Sequence, residues 1–243
     1  MEAKKGRREM KKFELTTEFI TNALGKKLFR IKALVEFGSV KAGELGGYAE
    51  KEENISQDGN AWVSGDARVY GNAWVSGDAR VYGDAWVHGN AKVFGNAEVY
   101  GDAKVSDNAK VFGDACVYGD AKVYGNAWVY GDAWVHGNAK VFGNAWVYGD
   151  TEVSGDAKVS DNAEVSGDAD YALVKGFGTE FRYTTFYRDK NKKIMVNCGC
   201  FHGDLEAFRK QVKETRSGKI AKEYLMIADL MEYHFTSEDS SDE

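Results

Sequence analysis

Proline is absent from this 243-residue chain, so its turns must rest on other residues. Cysteine is scarce; three, an odd number, argue against a disulfide framework. No apolar run approaches the ~20 residues of a membrane-spanning helix, and no membrane association is expected. Residues 1–12 are basic, through Lys4, Lys5, Arg7, Arg8, Lys11 and Lys12. They lack the apolar segment of a signal peptide. They read as a solvated, disordered tail on a cytoplasmic protein, and the acidic stretch TSEDSSDE (236–243) reads the same way. An excess of positive charge is also missing: the formal net charge is −6. Residues 59–166 hold eight basic against fourteen acidic side chains, which speaks against general nucleic-acid affinity.

What the chain does have is repetition. Residues 59–166 are eighteen consecutive hexapeptides of the form Gly or Asp, Asn or Asp, Ala, any, Val, any. Val holds its slot from Val63 to Val165, and Ala holds its slot except at Thr151. Ala-x-Val has strand period, with Ala and Val on one side and the variable residue on the other. Gly followed by Asn or Asp turns the chain, because these residues tolerate positive φ. So short a repeat cannot bury a core alone and must stack. Three strands and three corners close one coil for every three hexapeptides. The Asn/Asp slot supports that period: one column is all Asn (Asn72, Asn90, Asn108, Asn126, Asn144, Asn162) and a second is nearly all Asp. Stacked Asn side chains can hydrogen-bond along such a ladder.

These repeats resemble the hexapeptide-repeat, left-handed parallel β-helix family, whose strands carry an aliphatic residue two positions after a small one. The left hand is what the resemblance implies. The expected fold is an all-β solenoid, a triangular prism of about six regular coils over residues 59–172. An N-terminal β cap is expected over 13–58, with a strand-like run at FRIKALVEF (29–37) and a turn into the first coil at GELGGY (43–48). A C-terminal ββαα module is expected over 173–235. Its hairpin joins TEFRYTTFYR (179–188) to KIMVNCGCF (193–201). One helix follows Asp204 through Leu205, Phe208 and Val212; a second carries Ile220, Tyr224, Ile227 and Met231. CGCFHGDLEAFRKQV (198–212) resembles a module of uncharacterised bacterial and phage-associated proteins. FGSVKAGELGGYAEKEENIS (37–56) resembles the lead-in to the β-helix of bacterial proteins labelled acetyltransferases.

That label implies an acyl-CoA-dependent acyltransferase with a His general base and a loop that completes the acyl-CoA pocket. The repeats contain only His88 and His136, on different faces, and no loop interrupts them. Both read as surface residues first and as weak catalytic candidates second. Acetyl-CoA is a cofactor only under this alternative; otherwise none is expected. Cys198, Cys200 and His202 fall at i, i+2 and i+4, which on one strand would share a face. They are weak metal ligands, because a closed zinc site needs a fourth. The alternative is that Val196, Cys198 and Cys200 form a buried face beneath the helices. Cys116 is a lone thiol in an outward slot.

Sorted by coil, the outward slots form three faces. One is basic: Arg68, Trp86, Lys104, Lys122, Lys140 and Lys158. A second holds Trp74, Lys92, Lys110, Trp128, Trp146 and Glu164, beside a column that includes Phe94, Phe112, Tyr130 and Tyr148. A third is mixed, from Trp62 to Glu152. Self-stacking accounts for part of the aromatic content. The cluster Trp128, Tyr130, Trp146 and Tyr148, with Phe94 and Phe112, is large enough to suggest contact. The expected partner is a protein or a second copy in a homo-oligomer, with a glycan as an alternative. The reading is therefore a non-catalytic, rigid interaction scaffold, and the alternative an acetyltransferase.

Overall fold

The computed structural model describes residues 11–179 and 181–236. Residues 1–10 of the basic tail and 237–243 of the acidic one lie outside the described residues. The repeats form eighteen two-residue strands, β4 (Trp62–Val63) through β21 (Glu164–Val165), one per hexapeptide and each made of the variable residue and Val. Strands three repeats apart pair in parallel, as Glu98 with Cys116 and Val99 with Val117. The result is a parallel β-solenoid with three sheets. Every repeat Val is fully buried, and Thr151 in the Ala slot is 1% exposed. The Thr151 hydroxyl there donates to the Tyr148 carbonyl at 2.7 Å, which removes the penalty of a buried polar group. Burying each Val contributes about 2 kcal/mol.

The corners explain the Gly slot twice. Gly113 has φ of 73°, and a Cβ there would meet the Gly131 amide nitrogen at 3.0 Å. Asp107 and Asp161 replace Gly with φ of 58° at both; the Asp107 carboxylate accepts from the Gly125 amide of the next coil. The Asn column is bonded along its length. Each Nδ2 donates to the next Oδ1, at 3.2 Å from Asn72 to Asn90 and 3.0 Å from Asn126 to Asn144.

Between coils, the amides of the Asn/Asp slot, the variable slot and the slot after Val donate forward. Asn96 bonds to the Gly113 carbonyl, Glu98 to that of Ala115 and Tyr100 to that of Val117. The carbonyls of the Gly, Ala and Val slots therefore face the N-terminal end, and the first coil must find donors for them. The cap supplies these. Strands β1 (Phe13–Thr21), β2 (Lys27–Ala33) and β3 (Leu45–Ala49) extend the basic-face sheet. The β3 strand pairs in parallel with Arg68–Val69, and Ile55 bridges to Val75. Together they make a partial coil ahead of the six regular ones. The turn expected at GELGGY is confined to its start, where Gly43 has φ of 87° and the Glu44 amide donates to the Lys41 carbonyl; Gly46 and Gly47 lie in β3. A Cβ on Gly46 would sit 2.5 Å from Ile31 Cγ1 and from the Val63 carbonyl, so glycine is there for close approach. Lys12 is no part of a solvated tail. It is 4% exposed, and its Nζ donates to the carbonyls of Asp58, Gly59 and Ala61. Lys11 is tied by an ion pair to Glu52. Asn54 Nδ2 serves the carbonyls of Gly71 and Ala73.

At the other end, four antiparallel strands form one sheet: β22 (Tyr171–Phe177), β23 (Arg182–Arg188), β24 (Ile194–Cys198) and β25 (Phe201–Asp204). Helices α1 (Leu205–Thr215) and α2 (Gly218–Thr236) follow. The module therefore holds two strands beyond the expected hairpin, and it begins at Tyr171. Asp204 caps α1 by accepting from the Ala207 amide. One side of the sheet packs on the helices through Phe186, Val196, Phe208, Ile227 and Met231. Tyr187, fully buried, packs into the end of the solenoid core. Among the described residues, no helix is long and apolar enough to cross a membrane.

Candidate functional site

The residue after each Val stands at a corner, and the three-repeat period places like residues one coil apart. Rings in these columns stack nearly parallel. Phe94, Phe112, Tyr130 and Tyr148 follow one another at centroid distances of 4.8, 4.9 and 5.0 Å. Tyr82, Tyr100, Tyr118 and His136 make an equivalent column beside the mixed face. Beside the basic face, Tyr70 stacks on His88 and Tyr124 on Phe142. Ring columns therefore occur at all three corners, and the column beside Trp74 is not unique in length.

What distinguishes that face is its tryptophans. Trp128 and Trp146 stack at 5.4 Å with an interplanar angle of 13°. Lys110 Nζ lies 4.1 Å from the Trp128 ring centroid, a cation–π contact from the preceding coil. Trp146 is 42% exposed and Trp74 40%. The column rings Phe94, Phe112, Tyr130 and Tyr148 are half-buried against one another. The structure thus brings Trp128, Tyr130, Trp146 and Tyr148 together on two successive coils. Hydrogen bonding to Glu164 (Oη to Oε1, 2.8 Å) and burial raise the Tyr148 pKa.

The two repeat histidines do not meet. His88 is stacked on Tyr70, and burial lowers its pKa. His136 Nε2 lies 2.7 Å from Glu152 Oε1, sixteen residues on. The same cross-coil bond joins Tyr82 to Glu98 and Tyr148 to Glu164. The His136–Glu152 pair is thus one case of a repeated corner contact in which a ring tip meets a carboxylate. Cys116 is half-buried, and burial raises its pKa.

Cys198, Cys200 and His202 do not share a strand face. The β24 strand ends at Cys198, Gly199 turns with φ of 62°, and β25 starts at Phe201. Cys198 pairs with Phe201, and His202 with Asn197. Cys198 packs against the helix side, where its Sγ accepts from the Thr184 hydroxyl. Cys200 is exposed in the turn, so it is not part of the buried face with Val196. His202 turns toward the solenoid and meets Asp161 at 2.6 Å and the Tyr187 hydroxyl at 3.2 Å. Among the described residues, no group of three or more His, Cys, Asp or Glu side chains is placed to hold a metal ion.

Two clefts escaped the sequence reading. One, of about 280 Å³, lies in the C-terminal module between Cys198, Phe201, Phe208, Arg216 and Tyr224. The other, of about 250 Å³, lies at the foot of the mixed face, bounded by Glu44, Trp62, Ser64, Arg80 and Tyr82. The only sequence signal for the second was the step from Ser64 to Tyr82 in one column. Along the basic face, Lys104, Lys122 and Lys158 run beside Asp102, Asp120 and Asp156, while Lys140 stands beside Asn138.

A family model described as YdcK Beta solenoid repeat matches residues 61–77, 73–89 and 121–137. No curated protein matches the chain. Matched repeats and stacked coils together support a repeat β-helix family, and over those segments the chain is similar to the YdcK beta-solenoid repeat.

Proposed function

We propose that the chain is a non-catalytic, rigid scaffold that self-associates through its Trp74–Glu164 face. The observation that carries this reading is the order of outward residues along that face. They run Trp74, Lys92, Lys110, Trp128, Trp146, Glu164, one per coil. Set antiparallel against a second copy, with a two-fold axis at Trp128, the column from Lys92 to Glu164 is self-complementary, and Trp74 lies beyond the pairing. Lys92 meets Glu164, Lys110 meets Trp146, and Trp128 meets itself. Isologous pairing of this kind is the commonest route to a homodimer. Trp and Tyr supply large contact area at low entropic cost. A triangular prism holds such a column at fixed spacing, so the face is organised before contact.

Light scattering tests this. Wild type should have the mass of a dimer or a multiple of one. Changing Trp128 and Trp146 together to Ser should reduce the mass to that of a monomer while leaving the melt within about 1–2 kcal/mol. Lys92→Glu alone, or Glu164→Lys alone, should also lower it, and the double charge swap should restore it. A monomeric wild type, or a Trp variant of unchanged mass, overturns self-association; a heterologous protein or a glycan retained on this face would then take the second copy's place. For the scaffold reading, calorimetry with acetyl-CoA at about 1 mM should give no isotherm, a limit near −4 kcal/mol. An isotherm lost in His88→Ala or His136→Ala would turn the reading to acetyl transfer.

A further inference from the structure

We propose that Cys198 and Cys200 form a dithiol site that exchanges with small, carboxylate-bearing disulfides. The hairpin between β24 and β25 sets the geometry. Cys198 pairs with Phe201, so Gly199 and Cys200 are the whole loop. Gly199 has φ of 62°, a conformation that favours glycine, and the chain reverses within those two residues. The turn takes the two cysteines off a common strand face, yet both line one cleft of about 280 Å³. Cys200 is exposed and Cys198 half-buried, so a solute reaches the first thiol more readily than the second. The Thr184 hydroxyl donates to Cys198 Sγ at 3.2 Å and holds that sulfur in place. Cysteines separated by one residue close only a small ring. A disulfide strained in this way is easily reduced, which suits exchange and not structural bracing.

The rest of the cleft says what the disulfide should carry. Phe201 and Phe208, with ring centroids 5.4 Å apart, give it an apolar wall. Among the residues that line it, Arg216 is the single charged one. Its guanidinium bonds to the Thr215 carbonyl and to no carboxylate among the described residues. An exposed guanidinium of this kind selects a carboxylate on the molecule that approaches the thiols. In the exchange, the Cys200 thiolate attacks one sulfur of the small disulfide. That S–S bond breaks, a mixed disulfide forms on Cys200, and one small thiol leaves with the electron pair. The Cys198 thiolate then attacks the Cys200 sulfur, and the second small thiol leaves. The protons of the two cysteines end on the two released thiols. The pair is oxidised by two electrons and the small disulfide reduced by the same number. The site is separate from the Trp128 face, and its failure would leave the scaffold reading untouched.

The test uses the full chain carrying Cys116→Ser, so that only the pair reports, and dithiodiglycolate, a disulfide with two carboxylates. Intact-mass spectrometry after treatment should show a chain lighter by two hydrogens, with no thioglycolate attached. Adding Cys198→Ser should trap one thioglycolate on Cys200. Adding Cys200→Ser instead should slow the reaction about tenfold relative to Cys198→Ser, because Cys198 is the covered sulfur. Cystamine, a disulfide with two amines, supplies the charge comparison. The ratio of the dithiodiglycolate rate to the cystamine rate should fall about fivefold in Arg216→Gln, the loss of one charge beside the thiols. Arg216 is exposed, so that change should leave the melt unaltered. Stable mixed disulfides in the chain that keeps both cysteines, equal rates for the two single-thiol chains, or a rate ratio unchanged by Arg216→Gln would each overturn the proposal.

Discussion

The interior of the solenoid and its two ends meet the same demand in different ways. Inside, every coil finds its partners in the near-copy of itself stacked next to it, so one set of rules serves eighteen strands. The ends have no such copy and depend on single side chains. Carbonyls of the first coil meet Lys12 and Asn54. At the last coil Lys158 turns both its backbone groups outward, its amide donating to the Thr185 hydroxyl and its carbonyl accepting from Asn197 Nδ2. The Ser166 amide there donates to the Asp170 carboxylate. The side chains named at the N-terminal end are donors to carbonyls, and those at the C-terminal end both donate and accept. Repetition makes the interior tolerant outside and intolerant inside. At the ends, one buried polar side chain carries what a whole coil carries elsewhere.

The largest expected effect lies in the interior. Val117 is fully buried at mid-solenoid, and Val117→Asp would bury a charge without a partner, at several kcal/mol. Tyr118, the next residue, is stacked between Tyr100 and His136. Tyr118→Ser should cost about 1–2 kcal/mol for the two lost stacks. Thermal melts of both variants measure the gap, and equal losses would overturn the inward and outward assignment.

An effect of intermediate size belongs to the N-terminal end. Burial pushes the Lys12 amine down to about 8, against the opposing pull of Asp58 and Asp78. The unfolded chain holds that proton more tightly, so stability should rise as pH climbs from about 8 toward 10.5, by at most about 3 kcal/mol. Tyrosines act oppositely. Burial raises Tyr187 to about 12, so the stability it contributes is full below pH 10 and lost as pH rises through 12. Chemical denaturation across pH 7–12 should therefore peak near pH 10. In Lys12→Met the rise between pH 8 and 10 should vanish while the fall above pH 10 remains. A wild-type curve that is flat from pH 8 to 10 would refute the buried-amine account.

The smallest effect is a gain. Beside the basic face, Ser106 occupies the rung between His88 and Tyr124, as the pairing of Val87 with Val105 and Val105 with Val123 requires. Ser106→Tyr should join the Tyr70–His88 and Tyr124–Phe142 stacks and stabilise by about 1 kcal/mol. A loss of stability would show that the corner, rather than the ring, sets the column.

Periodicity carried the local rules and the contacts that repeat them. The Ala-x-Val pattern was enough to place Val63 through Val165 inside, to close each coil after three hexapeptides and to predict the Asn72–Asn162 ladder. Each of these follows from strand alternation and one repeated turn, which are properties of a few adjacent residues. Helices α1 and α2 were legible for the same reason, through their apolar spacing. What only the tertiary structure decided depends on residues brought together without repetition. Lys12 reads as one more cation in a basic tail until the carbonyls of the first coil surround it. Gly46 and Gly47 read as a turn until Ile31, Val63 and Ala67 leave them no room for a side chain. Cys198, Cys200 and His202 have the spacing of one strand face, and the turn at Gly199 sends them apart. Nor could spacing show that Trp62 is buried with its N–H unmet beside the open face of Tyr82, since that depends on a cap folding back over a coil. Sequence patterns encode contacts at fixed separation; single contacts across variable separations appear only when the chain is folded.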